Sequence, residues 1–216
     1  MKLTLLKKDG RKEVINRVEL ADLAAAIKDG RMRQAVRKMR EVYHLMNPHR
    51  LADGQVSTQW EGGIRLPRIC FAADYQNRKG EWRMISYNGL MVLEVNDLQT
   101  YEKAVEIREL AKKLPETMLC FLGGSGRSVK IVCRGELYGG GLPESEEDIR
   151  RFHLNLYNTA RRAYQNQFGF DIEFLEPRLD RTVYMSADPE MGINLEARPF
   201  YADTERHDLP QPEVIS

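Results

Sequence analysis

Glu94 and Asn96 stand at the end of the apolar run Gly89 to Val95, in Leu93-Glu94-Val95-Asn96-Asp97. Side chains alternate along a strand, so these two fall on one face and their oxygens can converge on a single ion. A few hard oxygen donors of this kind suit Mg²⁺, which keeps water or phosphate oxygens in its remaining positions. The same residues also read as a strand running out into a turn, with Asn96 and Asp97 as turn formers. Asp171-Ile172-Glu173 repeats the pattern, with two carboxylates on one face of a predicted strand. If that strand lies beside the one carrying Glu94, three carboxylates and an amide surround one cleft, enough for one or two metal ions and phosphoryl transfer.

A phosphate partner for such a cleft is suggested by Leu122 to Arg134, where a glycine-serine turn feeds a strand. Alternation sends Val129, Ile131 and Cys133 into a core and Ser128, Lys130 and Arg134 to the other face. The turn, with Ser125 and Gly126, offers closely spaced backbone N–H groups that can form an anion-binding concavity beside Ser128 and Lys130. An ordinary hairpin turn has the same residues. A Walker A loop is excluded, because the turn lacks Gly-Lys-Ser/Thr and leads into a strand rather than a helix. Arg181 could hold a triphosphate with its planar fork of donors, or pair at the surface with Asp180 or Glu176. Arg33, Arg37 and Arg40 form a basic stripe that reads either as a solvated helix face or as a nucleic-acid footprint. The four histidines are isolated from any readable nucleophile.

The elements that must position these residues are legible in outline. Lys8-Asp9-Gly10-Arg11 between apolar runs predicts an opening β-hairpin. Helices are expected over Leu20 to Ile27 and Arg31 to Leu45, then an irregular connection over Pro48 to Gly63. Strands follow at Ile69 to Ala72 and Trp82 to Ile85, read as a hairpin, and at Gly89 to Val95, read as buried on both faces. A helix over Tyr101 to Leu114 and strands at Met118 to Leu122 and Val129 to Cys133 complete a β-α-β-β order. Ser145 to Phe168 predicts a long helix with Ser145 as N-cap and Gly169 as its stop. Two further strands are expected at Phe170 to Leu175 and Thr182 to Met185. The division predicted is an N-terminal hairpin and helical appendage over 1–63, an α/β (α+β) body over 64–200 and a tail or linker over 201–216.

With 216 residues, 33 basic against 32 acidic, the chain is long enough for one well-buried domain, and nothing global advertises a nucleic-acid binder, so any basic footprint is local. Cys70, Cys120 and Cys133 are scattered, without CxxC or CxxH spacing, which argues against a disulfide framework or a zinc site. A reducing cytoplasm is the simplest setting. The apolar run Leu3 to Leu6 is too short for a signal peptide or a membrane span.

The order of these pieces resembles the N-terminal domain of VirE-like (virulence-associated E) proteins of bacterial mobile elements, a divergent branch of the archaeo-eukaryotic primase, or primase-polymerase, superfamily. The resemblance runs from about Gly30 to Phe200. It is carried by Tyr87-Asn88-Gly89-Leu90-Met91-Val92-Leu93, by Ser125-Gly126 leading to Lys130, and by Arg181 followed by Ser186-x-Asp188-Pro189 and Asn194. It implies a primase-polymerase-like mixed sheet flanked by helices. The superfamily's metal-binding Asp-x-Asp falls on Glu94 and Asn96, and its nucleotide-contacting Ser-x-His on Ser128 and Lys130. Its third acidic residue falls on Glu173, with Asp171 the alternative. If active, such a domain joins nucleotides with Mg²⁺ or Mn²⁺ held by Glu94 and Glu173, while Lys130 and Arg181 balance triphosphate charge. The uncharged Asn96 and the near-zero net charge motivate an alternative, a non-catalytic module that binds DNA or another protein and serves a downstream ATPase or helicase. The partners implied are nucleic acid and a nucleoside triphosphate, with no membrane.

Overall fold

The computed structural model describes residues 1–9, 12–45, 66–78 and 81–205. The expected hairpin is present as β1 (Lys2–Asp9) and β2 (Lys12–Glu19), antiparallel from Lys2↔Glu19 to Asp9↔Lys12. It does not stand apart from the body. Leu5 of β1 pairs with Ile69 of β3 (Arg68–Cys70), and β3 pairs in turn with β9 (Val183–Tyr184), giving the order β2-β1-β3-β9. The hairpin expected from Ile69 to Ile85 is instead made by β4 (Ala73–Arg78) and β5 (Glu81–Tyr87), because β3 is already hydrogen-bonded to β1 and β9. Helices α1 (Leu20–Lys28) and α2 (Arg33–Leu45) follow the hairpin. The connection expected over Pro48 to Gly63 lies outside the described residues.

The central sheet is built around β8 (Val129–Leu137). β6 (Leu90–Val95) and β7 (Leu119–Leu122) both pair antiparallel with Val129 to Val132 and therefore flank β8 on opposite edges. They are parallel to each other and joined through α3 (Tyr101–Ala111), which makes a β-α-β unit split by an inserted antiparallel strand. β10 (Gly192–Ile193) extends the sheet beyond β7, and β11 (Phe200–Ala202) runs parallel to the far half of β8. β11 thus reaches into the stretch read as a tail. Just beyond it, the Asn155 amide donates to the Asp203 side chain at 3.0 Å and to the Glu205 carbonyl at 2.9 Å, tying the chain to α4 (Glu146–Phe168).

Both faces of this sheet are covered. Met91, Leu93, Val95, Cys120, Leu122, Val129, Ile131 and Cys133 face α3 and α4, meeting Ala104, Ile107, Phe152, Leu156 and Tyr164. The alternate residues Leu90, Leu119, Phe121 and Val132 meet Leu3, Leu5, Leu23, Ile27 and Ile69 of the N-terminal sheet and α1. This explains why the sequence of β6 is almost continuously apolar. Each large side chain removed from water in these layers contributes about 1.5–3 kcal/mol. α4 has the expected caps, Ser145 Oγ accepting from the Asp148 amide at 3.1 Å and Gly169 at φ 74°. Gly135 lets Leu156 of α4 close on β8, since a Cβ there would lie 2.6 Å from the Leu156 methyls. The fold is thus a mixed α+β arrangement with four α-helices among the described residues.

One expected strand is absent. Phe170 to Leu175 pairs with no strand but lies along α4, where Arg161 Nε donates to the Ile172 carbonyl at 2.6 Å and the Leu175 amide donates to the Tyr157 hydroxyl at 3.0 Å. Side chains of the helix take the hydrogen bonds that a neighbouring strand would have supplied.

Candidate functional site

Antiparallel register places Glu94 of β6 directly opposite Lys130 of β8, on the face turned away from α3 and α4. Glu94 and Asn96 do converge on one cation, and that cation is the Lys130 ammonium. Its Nζ donates to Glu94 Oε2 in a short ion pair and to Asn96 Oδ1 at 2.9 Å. Arg181, arriving from the segment before β9, donates through Nε and Nη2 to Glu94 Oε1 at 3.0 and 2.6 Å, and through Nη1 to the Glu176 carbonyl at 3.4 Å. The Lys130 and Glu94 side chains are only 10% and 11% exposed, whereas Arg181 is 29% exposed and forms the open side.

Burial by itself pushes the Glu94 carboxyl up. Lys130 and Arg181 outweigh that and hold it below its ordinary value, so it is ionised at neutral pH. One carboxylate flanked by two cations leaves the cluster with surplus positive charge. The arrangement is suited to an oxyanion that approaches from the Arg181 side and engages the planar guanidinium. It does not fit a divalent cation. Both oxygens of Glu94 and the oxygen of Asn96 are already engaged by ammonium or guanidinium groups, and a metal bridging them would sit against the Lys130 charge.

The second acidic pair shares no hydrogen bond or ion pair with Glu94, Lys130 or Arg181. Asp171 accepts from the Gln165 side chain, and Glu173 is exposed, its backbone carbonyl 3.5 Å from the Tyr157 hydroxyl. Among the described residues no three His, Cys, Asp or Glu side chains gather as a metal-holding group.

The glycine turn is packed rather than open. It is closed by Gly123 N–H to the Ser128 carbonyl at 2.8 Å and by Gly126 N–H to the Gly123 carbonyl at 3.0 Å. Ser125 Oγ caps the turn by accepting from the Arg127 amide at 3.2 Å. A Cβ on Gly124 would lie 2.8 Å from Met39 Sδ, and one on Gly126 3.2 Å from the Tyr101 ring. The glycines therefore let α2 and the start of α3 approach the turn, and a Cβ on Gly123 would collide with buried Ser128.

The basic stripe of α2 divides between two environments. Arg37 pairs with Glu41 at 2.8 Å in solvent, and Arg33 is exposed at the start of the helix. Arg40 is half-buried over the Tyr101 ring at 5.7 Å, and its Nη2 donates to the Ala187 carbonyl at 3.3 Å.

Two polar sites escape the sequence reading. Arg108 of α3 and Asp188 form a buried ion pair at 2.6 Å, and the other Asp188 oxygen accepts from the Leu122 amide at 2.9 Å. Asp188 stands in the Ser186-x-Asp188-Pro189 motif, which is the one signal that could have marked it. His153 of α4 is buried, its Nδ1 3.0 Å from the Tyr87 hydroxyl, and burial pushes its pKa down to about 4. Burial likewise pushes the Cys133 thiol up to about 12 and those of Cys70 and Cys120 up to about 11, so all three are unreactive core thiols at neutral pH. Among the described residues no helix is long and apolar enough to cross a membrane.

Comparison with curated proteins and with solved structures finds no match. The family described as BT4734-like, N-terminal domain, matches residues 64–192, a span that contains Glu94, Asn96, Lys130, Arg181, Arg108 and Asp188. The chain therefore belongs to the BT4734-like N-terminal domain family, which is related to VirE-like N-terminal domains.

Proposed function

We propose that this chain is a primase-like domain of a mobile-element or DNA-replication protein, and that it binds the phosphates of a nucleoside triphosphate or of nucleic acid at the Glu94, Lys130 and Arg181 centre. The observation that carries the reading is the convergence of two cations on one carboxylate at the end of β6, with Arg181 on the open side. Support also comes from the split β-α-β unit, which delivers Glu94 and Lys130 to that place by strand register alone. The match to a family related to VirE-like domains agrees with the order of the sequence motifs.

Asn96 favours a binding module over a polymerase. It accepts a hydrogen bond from Lys130 and brings no second negative charge to hold metal. In this reading the domain recognises nucleotide or DNA on behalf of an ATPase or helicase domain or subunit.

Calorimetric titration with ATP and with a short single-stranded oligonucleotide tests the proposal. The native chain is expected to bind at least one of them, and Arg181→Ala to weaken that binding about tenfold or more through loss of charged hydrogen bonds. Absence of binding to both, or unchanged affinity in Arg181→Ala, overturns it. Manganese-dependent primer synthesis that Glu94→Ala abolishes would move the reading from recognition to nucleotidyl transfer.

A further inference from the structure

We infer that Lys130 is the resident cation of this centre: its ammonium holds the position between Glu94 and Asn96 that a divalent ion would take, so phosphate is bound here without Mg²⁺ or Mn²⁺. The second half of this inference rests on the phosphate-binding reading above; the first half does not.

Three features carry it. Two oxygen-bearing side chains separated by one residue on a strand point to a common locus, and Lys130 Nζ is hydrogen-bonded to both at that locus. The cation is delivered by backbone register, because Lys130 is the cross-strand partner of Glu94, and its stem is buried beside Gly123, where a Cβ would lie 3.5 Å from Lys130 Cε. An ammonium is a compact point charge with three donors, able to satisfy a carboxylate and an amide together. The electrostatics agree with the geometry. Asn96 is neutral, so the single charge of Glu94 is already matched by Lys130 before Arg181 adds its own. A divalent ion would meet like charge on two sides, whereas a phosphate would meet its complement.

Mn²⁺ titration followed by electron paramagnetic resonance tests the first half directly. The native chain is expected to leave the free-ion signal unchanged. Lys130→Met keeps the aliphatic stem and removes the charge; combined with Asn96→Asp, it should bind Mn²⁺ at least about tenfold more tightly than the native chain, and adding Glu94→Ala should abolish the gain. Native Mn²⁺ binding that Glu94→Ala removes would overturn the inference, as would a folded Lys130→Met/Asn96→Asp chain that gains no affinity.

A second measurement needs no variant. ATP affinity of the native chain in EDTA is expected to equal that in Mg²⁺ to within about threefold, and binding that requires Mg²⁺ would overturn the inference. Failure to bind ATP under both conditions would remove the phosphate reading, while the Mn²⁺ titrations would still decide the role of Lys130.

Discussion

Asp188 and Glu94 are both carboxylates gripped by arginine, yet their surroundings differ in kind. Asp188 and Arg108 are 3% and 5% exposed, and the two Asp188 oxygens accept from Arg108, the Leu122 amide and, at 3.2 Å, the Glu190 amide. The Asp188 amide donates to the Ile27 carbonyl at 3.1 Å, so the residue ties α1, α3 and the end of β7 together. Glu94 is met by side-chain cations only, from two directions, with Arg181 reaching solvent. Buried ion pairs backed by main-chain donors organise a fold, while a carboxylate over-supplied with cations, one of them reaching solvent, holds charge available to a ligand. The same residue types thus make a structural tie at Asp188 and a candidate binding centre at Glu94.

Removing a partner should separate the two most strongly. Arg108→Ala leaves the Asp188 charge buried and is expected to cost about 3–5 kcal/mol in urea denaturation. Arg181→Ala leaves Glu94 with Lys130, and is expected to cost no more than about 1–2 kcal/mol. Equal losses would erase the distinction.

Acidification probes a buried group that carries no charge. Burial holds the folded His153 near 4, whereas an unfolded histidine titrates near 6.5, so between those values the unfolded chain binds the extra proton. The stability contributed by neutral His153 is present above about pH 6.5 and is lost as pH falls toward 4, to a total of about 3 kcal/mol. Glu94, lowered by its cations, gives up its contribution only as pH falls below its unfolded value of about 4.3. Denaturation midpoints at several pH values should therefore show a slope above pH 4.5 that His153→Gln flattens. A slope unchanged by that substitution would contradict the assignment.

Packing effects come next. Gly135→Ala forces a Cβ against Leu156 and should cost about 1–3 kcal/mol by thermal or chemical denaturation, with the binding centre left intact. The smallest effect is expected at the exposed Arg178–Asp180 pair, 2.7 Å apart in solvent, where Arg178→Ala should change stability by less than about 1 kcal/mol. A larger loss there would mean that exposed pairs in this chain carry more energy than the contrast allows.

The legible parts of this molecule are those with a period or a cap. β6, β7 and β8 follow from alternation and apolar runs, and α4 from Ser145 and Gly169, because local chemistry decides them. β10 and β11 are too short to show a pattern, and the segment after α4 has strand composition but satisfies its backbone through Tyr157 and Arg161. Of the candidate site, the convergence of Glu94 and Asn96 was readable from their spacing. That their common cation is a lysine was not, since it depends on the register between β6 and β8, which no single segment encodes. The packing of the glycine turn is illegible locally for a related reason. Its composition suits an anion, but Met39 and Arg40 of α2, distant in the chain, pack onto it, and burial decides access.

An amide chemical-shift titration of the native chain with ATP in EDTA decides whether phosphate binds at Glu94, Lys130 and Arg181. The expected result is saturable shifts at the end of β6, the start of β8 and the segment around Arg181, with the amides of Arg108 and Asp188 unmoved. Saturable shifts confined to other surfaces, or none at Glu94, Lys130 and Arg181, would rule out a phosphate site at this centre.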